Sequence, residues 1–107
     1  MEFTCEKKEL QEGVSIVDKI VTTRSTLPII GNILFEAGKN GIKLSANNLA
    51  IGIEVGIKAN VIKEGAALLP AKTLGSLVSK LPDKNIAFRL AENGVVRISY
   101  DQSQFNL

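Results

Sequence analysis

The stretch from Asn32 to Asn48, NILFEAGKNGIKLSANN, is written almost again from Asn85, as NIAFRLAENGVVRISYDQ. With Asn32 over Asn85, Ile33 falls on Ile86, Phe35 on Phe88 and Asn40-Gly41 on Asn93-Gly94. A slip of one residue after the turn lays Ile42-Lys43-Leu44-Ser45 over Val96-Arg97-Ile98-Ser99. Carried further, the alignment puts Ile51 and Ile53 over Phe105 and Leu107. Each copy reads strand, turn, strand. Asn-Gly suits a type I′ hairpin turn, which needs positive φ angles. Alternation supports the strands: Ile33, Phe35 and Ala37 point one way, Leu34 and Glu36 the other. In the strand that follows, Ile51, Ile53, Val55 and Ile57 share one face.

A helical pattern precedes each copy. Leu10, Val14, Val17 and Val21 recur at helical spacing before the first, with Ile20 beside the stripe. Leu74, Leu77, Val78 and Leu81 do so before the second, and Pro82 ends that helix. Short apolar segments, Phe3 to Cys5 and Ala67 to Leu69, lead into the helices. The expected architecture is therefore α+β, a β-α-β-β-β unit written twice. The copies span approximately residues 1–60 and 65–107 of one domain covering 1–107. Each unit has a sheet with one apolar face and a helix with one apolar stripe, and two units bury both in a common core. An α+β domain with two unrelated hairpins would read similarly; superposition of the halves distinguishes the cases.

One core is what 107 residues can support. The chain is 45% hydrophobic and 22% charged, an ordinary globular balance, and its few aromatics leave Ile, Leu and Val to fill the interior. The net charge of +2 neither announces nor forbids nucleic acid. A single cysteine, Cys5, allows no internal disulfide and fits a reducing compartment. Charged residues after Met1 interrupt any signal-like run, and no segment approaches the ~20 apolar residues of a membrane span. The expectation is a cytoplasmic protein with no membrane association.

Several chemistries lack their residues. No histidine is present, which excludes histidine acid–base catalysis and a Cys-His pair. One cysteine without histidine disfavours zinc, and the acidic residues show no metal-binding spacing. Neither a P-loop nor a G-x-G-x-x-G loop occurs. Ser25-Thr26 has nothing nearby to activate a hydroxyl. No catalytic residue, metal or cofactor is expected, and the chain reads as a non-enzyme.

Four segments carry a family resemblance: FTCEKKEL from Phe3, TTRSTLPIIGNILFEA from Thr22, LSANNLAIGIE from Leu44 and LLPAKTLGSLVSKLP from Leu68. In order and spacing, over essentially the whole chain, they resemble the first domain of the bacterial sliding clamp family, the β subunit of DNA polymerase III. The resemblance implies the DNA-clamp (processivity) fold, with two helices packed on antiparallel sheet. It also implies a role in a ring that encircles duplex DNA and tethers the replicative polymerase, with three domains per chain and two chains per ring. The partners implied are duplex DNA, the other clamp domains and a second clamp subunit. Polymerase and clamp loader would bind through domains beyond this one, and the 107 residues read as one piece of a longer clamp chain.

A sliding ring needs few contacts, made to phosphates by Lys or Arg, because base contacts would act as brakes. Arg24 and Lys72 stand where the family places DNA-facing basic groups. Taken alone, Arg24 reads as a solvated loop arginine, and it is the resemblance that makes it a candidate DNA contact. Lys72 has a local argument as well, since it opens the second helix, where backbone amides and the helix dipole favour a phosphate. That helix is basic, with Lys72, Lys80 and Lys84 against Asp83, whereas Lys7, Lys8 and Lys19 of the first face Glu6, Glu9, Glu12 and Asp18. Lys8, Glu12, Ser15 and Lys19 share a face of that first helix.

The last strand, through Phe105 and Leu107, reads as a sheet edge open to pairing. The resemblance makes Phe105 and Leu107 candidates for the contact with the second subunit; both also qualify as core residues of this domain. Where the family often carries basic residues before that strand, this chain has Asp101-Gln102-Ser103-Gln104. The alternative from another class is a standalone, non-catalytic interaction module of the same fold that self-associates through its sheet edges.

Overall fold

The computed structural model describes residues 1–21, 31–47 and 52–107. In chain order the elements are β1 (Glu2–Glu6), α1 (Lys7–Val21), β2 (Asn32–Gly38), β3 (Gly41–Asn47), β4 (Gly52–Ile57), β5 (Asn60–Lys63), β6 (Gly65–Pro70), α2 (Ala71–Lys80), β7 (Asn85–Leu90), β8 (Val96–Tyr100) and β9 (Ser103–Asn106). The order β-α-β-β-β thus occurs twice, with β5 between the two runs. That four-residue strand had no period long enough to announce it in the sequence.

The strands form two antiparallel sheets, β5-β1-β7-β8-β9 and β4-β3-β2-β6. Each run lends its first strand to the other's sheet. β1 lies beside β7, with Phe3 opposite Phe88 and Cys5 opposite Ile86. β6 lies beside β2, with Ala67 opposite Phe35 and Leu69 opposite Ile33. The runs are therefore interlocked, and neither sheet is complete without both.

Inward residues follow the alternation. Ile33, Phe35 and Ala37 of β2, Ile42 and Leu44 of β3, and Ile86 and Phe88 of β7 are buried, together with Leu10, Val14 and Val17 of α1 and Leu74 and Val78 of α2. Phe3, Phe35 and Phe88 meet in a stack at the centre; Phe3 and Phe88 are 4.8 Å apart between ring centres. Helix α2 ends where Leu81 turns extended, at φ −72° and ψ 146°, because Pro82 disfavours helical backbone in the residue before it.

The helices pack on one another but approach their sheets differently. α1 lies close over β3 and β4, whereas α2 meets β6 and makes no comparable approach to β8 and β9. Gly13 explains the close approach, since a Cβ there would stand 2.6 Å from Ile57 Cγ2 and 3.0 Å from Leu44 Cδ1. The matching position of α2 is Leu77, a partly buried side chain packed against the core.

Two expectations are corrected. The hairpin turns are not type I′, because neither Asn40 nor Asn93 has a positive φ. In the second hairpin Gly94 N–H donates to Ala91 O at 3.0 Å and Ala91 N–H to Val95 O at 2.8 Å. This is a type I turn closed by the positive φ of Gly94, 85°, a G1 bulge. The Asn93 side chain accepts from Val95 N–H at 3.1 Å and stabilises this form locally. In the first hairpin Gly41 alone supplies the positive φ, 120°. The second correction concerns the last strand. Phe105 lies opposite Ile98, the place Val55 holds opposite Leu44, and Leu107 exchanges backbone hydrogen bonds with Val96 as the counterpart of Ile57. Phe105 and Leu107 therefore match Val55 and Ile57, not Ile51 and Ile53. The two-residue turn at Asp101-Gln102 makes the second connection shorter than the one after β3, and a comparison of letters does not see that difference.

Candidate functional site

Asn32 lies opposite Pro70 and Asn85 opposite Glu6, so Pro70 and Glu6 are matching positions, each immediately before a helix. Two residues on stand Lys72 in α2 and Lys8 in α1, both in first turns. The match between Lys72 and Lys8 lies outside the doubled hairpin. Extending the repeat backward through the helix starts would have shown it.

Lys72 is exposed and has no ion-pair partner among the described residues. The first turn of α2 contains no acidic residue, and no side chain caps it. Its amides and dipole therefore add to the lysine charge instead of being neutralised by the chain's own groups. Lys8 differs. Its ammonium stands 3.6 Å from Asp83 Oδ2, with both side chains largely in solvent. The N–H of Lys7 is held by Lys84 O at 3.0 Å, which takes up one amide at the start of α1. Lys84 in turn pairs with Asp101. Lys80, in the last turn of α2, is exposed and has no ion-pair partner among the described residues. Arg24 lies outside the described residues.

The structure separates the other two candidates. Phe105 is 38% exposed on β9, the edge strand of its sheet, and stacks on Tyr100 with ring centres 6.1 Å apart. Its exposure follows from the stand-off of α2, because Val55 at the matching place lies beneath α1. Leu107 is partly buried and packs against the core. The β9 edge carries no further strand among the described residues.

The buried Cys5 thiol is pushed up to about 12 by burial and, secondarily, by the charge of Glu9. It is a core group, not a nucleophile. Among the described residues no cluster of three or more His, Cys, Asp or Glu side chains is placed to hold a metal. No described helix is long and apolar enough to cross a membrane.

Two interlocked β-α-β-β-β runs with paired helices define an α+β domain of the DNA-clamp class. Its backbone superposes with TM-score 0.91 on the DNA polymerase sliding clamp of Caulobacter crescentus, at 30% identity, covering 99% of this chain and 29% of that one. The sequence matches the DNA polymerase III beta subunit N-terminal domain over residues 1–107. It is 38% identical over 96 residues to the beta sliding clamp of Synechocystis sp., covering 88% of this chain and 25% of that protein. The beta sliding clamp of Synechococcus elongatus is 30% identical over 109 residues, covering 100% of this chain and 29% of its own length. The chain belongs to the DNA polymerase III beta subunit family and corresponds to its N-terminal domain. It spans under a third of the length of these relatives.

Proposed function

We propose that this chain acts as one domain of a ring-forming, non-enzymatic processivity factor that encircles duplex DNA and tethers the replicative polymerase in the cytoplasm. The observation that carries the reading is Lys72, an exposed lysine with no ion-pair partner among the described residues, in the uncapped first turn of α2, within a clamp fold. Lys72 and Arg24 are assigned to phosphate contacts without sequence specificity. Lys8 joins them, because an exposed pair with Asp83 is weak enough to exchange for a phosphate. Phe105, with Leu107 behind it, is assigned to the contact with a second clamp subunit. Polymerase and loader would engage other domains of the ring.

The test is anisotropy of a labelled duplex titrated with the chain at several salt concentrations. Weak binding is expected, with log affinity falling against log salt at a slope of about −2 to −3 for the three contacts, and Lys72→Ala flattening that slope by about 1. Preference for one DNA sequence, or a slope unchanged by Lys72→Ala, would overturn the assignment. A second reading, a module that self-associates through sheet edges, draws support from the open β9 edge and the exposed Phe105. It requires DNA binding indifferent to Arg24→Ala and Lys72→Ala, and self-association lost on Phe105→Ala.

A further inference from the structure

Arg89 of β7 and Arg97 of β8 are direct cross-strand partners on the outer face of the five-stranded sheet. Both are exposed, and neither has an ion-pair partner among the described residues. Like charges in directly opposed positions destabilise a sheet. The other sheet provides an internal comparison. At the matching positions stand Glu36 and Lys43, also direct partners, and there the charges are complementary. Lys43 reaches Glu36 at 3.5 Å and Glu54 at 3.8 Å. One outer face thus satisfies its charges internally, while the other leaves two guanidinium groups open.

The surroundings of the arginines narrow what they await. Glu2 lies opposite Arg89 on one side and opposite Lys63 on the other, so the row across the sheet runs Lys63, Glu2, Arg89, Arg97. The register of β5 against β1 shifts between Glu2 and Phe3, and Ile62 is left over at that bulge, 59% exposed. Ile62, Glu2, Arg89, Arg97, Ser99 and Gln104 line one depression of about 210 Å³. An apolar side chain beside two arginine forks fits a mixed apolar and acidic ligand. A nucleic-acid strand fits less well, because Glu2 interrupts the positive row and the depression has no exposed aromatic ring for base stacking.

We propose that this outer face is a docking surface for an acidic peptide segment of a partner protein, with carboxylates on Arg89 and Arg97 and an apolar side chain over Ile62. The surface is distinct from Lys72, so it stands or falls separately from the DNA reading. The probe is a labelled synthetic peptide of alternating Glu and Leu, titrated against the 107-residue chain by anisotropy and by amide chemical shifts. Weak binding is expected, with shifts centred on Ile62, Arg89 and Arg97. Arg97→Glu abolishes it and Arg89→Gln weakens it about tenfold, while Lys43→Gln leaves it unchanged. In the free protein Arg97→Glu raises the unfolding midpoint, because it recreates the opposite-charge pair of the other sheet. Gain of stability with loss of binding is the signature of a pair kept for a partner. No binding, binding insensitive to Arg97→Glu, or a lowered midpoint in that variant overturns the proposal. Tighter binding of a single-stranded oligothymidylate at the same amides would overturn the peptide assignment in favour of nucleic acid.

Discussion

Phe35 and Phe88, which hold the same place in the two hairpins, stack on each other with ring centres 5.9 Å apart and planes 18° from parallel. Each is fully buried, and Phe3 packs against both. The contact couples the two sheets at the point where β1 has crossed to the partner run. Phe35→Ala and Phe88→Ala should each lower stability by about 3–5 kcal/mol in urea unfolding, with Phe→Leu at either site costing less. A loss below about 1 kcal/mol would mean that the stack is not central to the core.

Gly13 and Gly75 should respond in opposite directions to alanine. Both lie within helices, where alanine is favoured over glycine by about 1 kcal/mol. At Gly75 a Cβ meets nothing within 4 Å, so Gly75→Ala should raise the melting midpoint. At Gly13 the methyl would press on Ile57 and Leu44, and overpacking of about 1–3 kcal/mol outweighs the propensity gain. Calorimetry of the two variants side by side checks the prediction.

Cys5 should resist alkylation by iodoacetamide at pH 8 in the native chain and react promptly in urea. The thiol is pushed from 9.0 up to about 12, so the folded protein holds its proton where the unfolded chain releases it. Folded molecules therefore bind more protons than unfolded ones between those values, and stability falls as pH rises. The contribution is complete below pH 9.0 and is lost on approaching about 12. Cys5→Ser and Cys5→Ala should both remove the cysteine component from the alkaline limb of a pH–stability profile, since neither side chain titrates there.

Phe105→Ala should cost clearly less folding stability than Phe88→Ala, because Phe105 is 38% exposed and Phe88 is fully buried. Chemical denaturation gives the comparison. Sedimentation of the same variant shows whether the β9 edge also carries association; an unchanged sedimentation profile would remove Phe105 from the interface assignment.

Much of this domain is readable along the chain. Alternation at Ile33, Phe35 and Ala37 marks an inward face, and the spacing of Leu74, Leu77, Val78 and Leu81 marks a helix that Pro82 must end. These are local consequences of backbone geometry. The same holds for Lys72, placed in a first turn by the stripe that follows it. The repeat also sets Glu36 and Lys43 against Arg89 and Arg97, so that one hairpin has opposite charges where the other has like ones.

What the letters do not carry is which element meets which. Alternation assigns a side chain to a face of a strand but names no neighbour, so the crossing of β1 to β7 and of β6 to β2 is decided by tertiary packing. The same limit explains the misaligned last strand, whose register follows the length of its turn, and the turn type itself, which rests on the φ of Gly94 and the Asn93 side chain. Ion pairing shows it at the candidate site. Lys8 and Lys72 have like positions, yet among the described residues only Lys8 finds an acid, Asp83, which lies far along the chain beyond α2. The letters carry the helices and strands of the two β-α-β-β-β runs and their inward faces, because those depend on contacts a few residues apart, whereas the short β5 is set by its pairing with β1. Tertiary structure alone decided the interlocking of the sheets, the exposure of Phe105 and the freedom of particular charges, because those depend on residues that only folding brings together.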